Sequence, residues 1–193
     1  MLYKAEYFSR ILDRDKTKKQ RLKSHLRNVA ETAQRFAKET PPSRPDDSQD
    51  AKQWKEAFQN TAWRAGALHD LGKYRKEFQE YLFGERDRGS ETNHSVYGSA
   101  AAWHHFCDVI SAFSIAGHHA GLYDCANLDT LLNGKKYETE SRYQPLLDFV
   151  QDGKELGPLP EFRSMSINED DEKDKRRYEF MTRVLFSMIV DAD

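Results

Sequence analysis

Thiols are scarce in this chain of 193 residues: Cys107 and Cys125 stand alone, without CxxC spacing. Two isolated cysteines make neither a disulfide framework nor a zinc ribbon, which points to a reducing compartment. Long apolar runs are missing. No window approaches the ~18 apolar residues of a membrane span, and the opening MLYKAEYFSRILDRDK is interrupted by charge too often to form the core of a signal peptide. An excess of one charge is missing too: the formal net charge is −2, so no global basic field marks a nucleic-acid binder. There is no internal repeat, no convincing alternation of strand type, and no GxxxxGK(S/T) motif that would serve ATP-driven unwinding. What remains is a soluble, cytoplasmic protein with no membrane partner, a single domain over 1–193 long enough to bury a core.

Helical periodicity fills that domain. Leu22, Leu26, Val29, Ala33 and Phe36 recur at spacings of four and three, on one face of a helix that Pro41, Pro42 and Pro45 should end. A second helix is expected over about Ala51–His69, with Trp54, Phe58, Ala62 and Ala65 inward, and a third over about Arg75–Phe83. Gly84–Thr92 reads as a loop. Helix resumes near His94, with Tyr97, Ala101 and His104 along one side, and the apolar segment Val109–Ala116 leads into Gly117-His118-His119. Residues 124–175 read as a variable insert, with a short helix over Tyr143–Val150 and a charged surface loop at Asn168–Lys175. The last helix carries Tyr178, Met181, Leu185, Met188 and Ala192 and stops at Asp193 without a cap or polar turn, so the natural polypeptide is expected to continue. The expected fold class is all-α. The basic run Lys16–Lys23 reads as the solvated start of the first helix or as a local basic patch.

Seven histidines are distributed unevenly. His69-Asp70 follows the small, apolar Ala65-Gly66-Ala67-Leu68, and His118-His119 follows Ser114-Ile115-Ala116-Gly117; His25 and His94 lie on or beside helices. Taken singly, a helix histidine such as His25 is ordinarily a satisfied boundary residue. His104 and His105, between Trp103 and Phe106, read as the polar edge of a packed helix. Burying one imidazole is cheap when its nitrogens find partners, whereas gathering five near carboxylates calls for a cation.

The joint pattern also has a family likeness. Gly66-Ala67-Leu68-His69-Asp70-Leu71-Gly72-Lys73 resembles the HDxxK signature of the HD phosphohydrolase superfamily. Together with His25 before it and with Asn93-His94-Ser95 and Gly117-His118-His119-Ala120-Gly121 after it, the ordered set is similar to one branch of that superfamily. This branch is the HD nuclease domain of the CRISPR-associated type I interference nuclease–helicase. The likeness covers nearly the whole chain, and the closing Leu185–Asp193 looks like the branch's last motif. It implies an HD-domain helical bundle with a central histidine/aspartate metal site, cleaving single-stranded DNA as an endonuclease or exonuclease in antiviral defence. It also implies a helicase domain, in the same or a separate chain, and an RNA-guided surveillance complex. Rival readings are an HD phosphohydrolase of nucleotides or cyclic dinucleotides, a metal-free HD-like binding module, and an unfused nuclease subunit. Retention of every candidate ligand argues against the binding module.

The resemblance also assigns roles. One metal would be held by His25, His69, Asp70 and an aspartate of the final helix, the second by Asp70, His94, His118 and His119. Asp70 would bridge two cations ~3.5–4 Å apart. Imidazole ligands favour manganese, iron, cobalt or nickel, with magnesium the oxygen-preferring alternative. The final aspartate is Asp193 if the usual Ala-Asp pair applies; Asp191 stays open, because residues two apart on a helix point ~200° away from each other and only one can serve. Lys73 would set its ammonium on the scissile phosphate. Lys18, Lys19, Arg21 and Lys23, leading into His25, are candidate contacts to the nucleic-acid backbone.

Overall fold

The computed structural model of the chain describes residues 6–40, 49–133, 145, 148–149 and 170–193. Its frame is helical, as the periodicity requires. Helix α1 (Leu22–Glu39) buries Leu22, His25, Leu26, Val29, Ala30, Ala33 and Ala37 along one stripe. It ends where the Thr40 hydroxyl and backbone N–H both donate to the carbonyl of Phe36; the proline stretch expected to end it lies outside the described residues. Helix α2 (Gln49–Leu68) packs against it through small residues. A Cβ on Gly66 would fall 2.6 Å from the Cα of Ala30; the two backbones touch there, and that approach brings the start of α1 beside the end of α2.

After α2 the chain tightens into a 3-10 turn (Leu71–Tyr74), then α3 (Lys76–Phe83), closed by Gly84 at φ 78°. Helix α4 (Ser95–Ala100) widens into a π turn over Ala101–His105, and α5 (Val109–Gly117) follows. Then come α6 (Cys125–Asn133) and the final helix α7 (Glu172–Ala192). The main core lies between α1, α2, α5 and α7, with Phe58, Leu68, Ile115, Met181 and Leu185 at its centre. A smaller cluster around Val96, Tyr97, Leu128 and Leu132 seats α4 on α6. Among the described residues no helix is long and apolar enough to cross a membrane.

Three expectations need correction. The chain carries a short hairpin, with β1 (Phe8–Ile11) antiparallel to β2 (Lys19–Arg21). Strands of four and three residues are too short for an alternating pattern to register, and tertiary contacts hold them. The Gln79 amide accepts from the N–H of Phe8 and donates to its carbonyl, so one side chain of α3 acts as a neighbouring strand. The basic run is therefore not the start of a helix: it crosses the hairpin loop and β2 and reaches only the first turn of α1. Finally, Glu172–Lys175 belong to α7 rather than to a loop; Asp171 accepts from the N–H of Lys173, and Glu172 and Asp174 occupy the positive N-terminal end. The weakly patterned region also contains α6. The expected helix over 143–150 lies mostly outside the described residues, though Pro145, Asp148 and Phe149 are helical.

Candidate metal centre

Five separate places in the chain deliver side chains to one point. His25 stands on the first turn of α1, and His69-Asp70 closes α2. His94 is the N-cap of α4, and His118-His119 follow α5 in a turn where the N–H groups of Ala120 and Gly121 donate to the carbonyl of Gly117. Asp193 ends α7. Close backbone contact sets these elements together. A Cβ on Gly98 would collide with the carbonyl of Leu68, and one on Gly72 with the backbone of His94. The N–H of Gly72 donates to the His94 carbonyl at 3.2 Å.

The two oxygens of Asp70 face different neighbours. Oδ2 lies 2.9 Å from His25 Nε2 and 3.2 Å from His69 Nε2. Oδ1 lies 3.1 Å from His94 Nε2 and 3.8 Å from His118 Nε2. Asp193 Oδ1 joins the first group, 3.3 Å from His25 and 3.6 Å from His69; His119 Nε2 joins the second, 2.8 Å from His94 Nε2. Two sets of four donors thus share one buried carboxylate: His25, His69, Asp70 and Asp193, and Asp70, His94, His118 and His119. Asp191 is exposed and belongs to neither set.

The donor chemistry suits a cation. His69 Nδ1 lies 2.7 Å from the carbonyl of Gly66, and His118 Nδ1 2.7 Å from that of Ile115. A ring that donates from Nδ1 to a carbonyl is oriented with Nε2 aimed at the centre, its lone pair available to a metal. Asp70 Oδ1 and His118 Nε2 are buried with no hydrogen-bond partner among the described residues. Buried acceptors left unpaired are costly, and a divalent ion would satisfy both.

The electrostatics agree. Burial opposes charge on Asp70, yet the surrounding imidazoles, His69 foremost, hold it well below the usual carboxylate range. Burial also opposes charge on His69, but the Asp70 and Asp193 carboxylates raise it to about 9, so without a metal a proton supplies the positive charge. Asp193 is depressed by His69 against its own burial. His119 is pushed down to about 4 by burial and by His118 and His94, leaving it neutral and able to ligate.

The remaining expected residues divide. Lys73 sits in the 3-10 turn, 12% exposed, with Nζ 2.5 Å from Asp70 Oδ2 and near the Phe78 ring. Lys18 is exposed on the hairpin loop, Lys19 lies over the rings of Phe8 and Phe83, Arg21 pairs with Glu6 at 2.7 Å, and Lys23 is half-buried on α1. None of the four belongs to either donor set. His104 and His105 are exposed and stand apart from both.

Sequence reading passed over Arg64 and Asp108. They form a buried pair at 2.7 Å that ties α2 to the N-cap of α5, where Asp108 also accepts from the N–H and hydroxyl of Ser111. Each helix leads directly into candidate ligands, α2 into His69-Asp70 and α5 into His118-His119. A charged residue inside the Ala-rich stripe of α2 was the available signal. A family model described as the HD domain matches residues 22–151, a span holding every candidate ligand except Asp193. No curated protein matches the chain.

Proposed function

Because the chain belongs to the HD domain family, whose chemistry is metal-dependent phosphohydrolysis, we propose that it is a nuclease that hydrolyses the phosphodiester bonds of single-stranded DNA. The observation that carries this reading is the sharing of Asp70, with one oxygen turned to each of two four-donor sets. A single buried carboxylate in that position suits a pair of cations on one phosphate better than a lone ion. The donor set, rich in imidazole, favours manganese, iron, cobalt or nickel over magnesium.

In this reading His25, His69, Asp70 and Asp193 hold one ion and Asp70, His94, His118 and His119 the other. When bound, the ions activate water and neutralise charge growing on the phosphoryl oxygens. The protein's own contribution is orientation: the carbonyls of Gly66 and Ile115 fix two imidazoles, and the Gly72–His94 backbone contact fixes a third. The ammonium of Lys73, beside Asp70 Oδ2, would meet the scissile phosphate in this reading. Lys18, with Lys19, Arg21 and Lys23 behind it, offers the entering strand sequence-independent positive charge. The step from phosphohydrolase to DNA rests on the order of motifs from His25 through Gly117-His118-His119-Ala120-Gly121. That order also supports a place in cytoplasmic CRISPR interference, beside a helicase and an RNA-guided complex.

The test is elemental analysis of the purified protein, paired with cleavage assays on single-stranded DNA, duplex DNA and nucleoside triphosphates across several divalent metals. Salt-sensitive cleavage of single strands, with intact duplex resistant, is expected. Rapid hydrolysis of a triphosphate with single strands untouched would assign the site to nucleotides instead.

A further inference from the structure

Beside the second donor set lies a cavity of about 660 Å³, bounded by the loop after α3, the start of α4 and the turn after α5. This is within the ~300–1,000 Å³ range of small-ligand sites. His94 and His119 form one wall, so the space opens directly onto that set. Phe78, edge-on to His94 at 5.0 Å between ring centres, gives it an aromatic floor. Tyr81 and Tyr123, both half-buried, line its sides.

The charge of this cavity distinguishes it from other hollows. Among the described residues no carboxylate lines it, whereas the hollow beside Tyr74 includes Glu6, Glu77 and Asp148, and the groove along α7 includes Asp124 and Glu179. Arg88 lines it and makes no ion pair with any described residue; Arg86, two positions earlier, is paired with Glu80 at 2.8 Å. Asn93 accepts from the Ser95 hydroxyl and keeps its amide nitrogen without a partner among the described residues.

The Arg88 guanidinium, aromatic rings and an amide donor, set against the candidate metal-ligand histidines, match the parts of a nucleotide: phosphate, base face and base edge. We propose that this cavity is the subsite for the nucleotide adjoining the scissile phosphate, with Arg88 on its phosphate and Tyr81 and Tyr123 stacking against its base. The assignment rests on the phosphohydrolase reading and deepens it by naming the side chains that hold the nucleobase and its phosphate.

The test has two arms. In the first, metal-free protein in chelator is titrated against fluorescein-labelled octathymidylate by anisotropy, comparing wild type with Arg88→Ala, Tyr81→Leu and Tyr123→Leu. Arg88 is exposed and the leucines keep apolar bulk, so the fold should persist. Dissociation constants should rise about tenfold in each, in line with the loss of a stacked base or a phosphate contact. Unchanged affinities would overturn the subsite. Competition by thymidine triphosphate decides the source: weak displacement supports a strand, and displacement tighter than that by unlabelled octathymidylate overturns the strand in favour of a free nucleotide. In the second arm, manganese-loaded proteins hydrolyse the oligonucleotide and methyl p-nitrophenyl phosphate, an ester too small to reach the cavity. The variants should lose the first activity through KM and keep the second. Variant-sensitive binding with neither ester hydrolysed by the wild type would refute the proposed function while leaving the pocket's affinity intact.

Discussion

Gly72→Ala should separate the two donor sets. A Cβ at that position would lie 2.6 Å from the Cα of His94 and 2.7 Å from the Cδ2 of Tyr97, and closer still to the His94 carbonyl. Ordinary contact begins at 3.4 Å and the carbonyl oxygen is the nearest atom, so the start of α4 must retreat by about 1 Å. Metal sites tolerate ligand errors of only ~0.2 Å. The retreat carries His94 away from Asp70 Oδ1, now 3.1 Å distant, while His25, His69 and Asp193 are untouched. Overpacking of this kind costs ~1–3 kcal/mol, or a Tm lower by about 2–12 °C in a domain of this size. A misplacement near 1 Å also lowers turnover by about 10²-fold. Metal content by mass spectrometry, thermal unfolding and strand cleavage should therefore show one set emptied, turnover reduced and the fold retained. Leu128→Ala is the control: it removes a side chain buried in the small cluster, costs ~2–5 kcal/mol, and should leave metal content unchanged. Wild-type metal content and turnover in Gly72→Ala would refute the argument.

Asp70→Ala should abolish cleavage and empty both sets in a still-helical protein; retained activity with manganese would place the chemistry elsewhere. Asp193→Asn should weaken metal retention, with Asp191→Asn silent by the same elemental analysis. Lys73→Ala should lower kcat while metal content holds, and metal loss in that variant would make the lysine a support of Asp70. Chelated protein should lose stability as pH rises from 6.5 to 9. His69, raised to about 9 in the fold from an ordinary 6.5, stabilises fully below 6.5 and not above 9. His119, held at about 4, acts in the opposite sense and only below 6.5. A Tm flat across that window, or unaltered in slope by His69→Gln, would contradict the assignment.

The helices were legible because their apolar stripes repeat over long stretches: Leu22, Leu26, Val29 and Ala33 on α1 and Met181, Leu185 and Met188 on α7 are buried where the spacing places them, with Phe36, Tyr178 and Ala192 half-buried at the stripe ends. The convergence of His25, His69-Asp70, His94 and His118-His119 was approachable from their apolar settings and order. Asp193 against Asp191 was not decidable from period alone, because only the docking of α7 on α1 and α5 fixes which carboxylate turns inward. The hairpin was hidden because its support comes from Gln79, some seventy residues away. The Arg64–Asp108 pair was hidden for a similar reason, since burial of an arginine depends on a partner on another helix.

The first donor set joins residues 25 and 193, with His69 and Asp70 between them. During synthesis α1 and α2 leave the ribosome early and can pack through Gly66 and Ala30, but the set stays open until Asp193 has emerged and α7 has docked. In the proposed reading, a nascent chain surrounded by messenger and ribosomal RNA carries at most half of its cutting machinery. The first donor set is therefore completed only when α7 docks on α1 and α5, after the second set's residues have all been made.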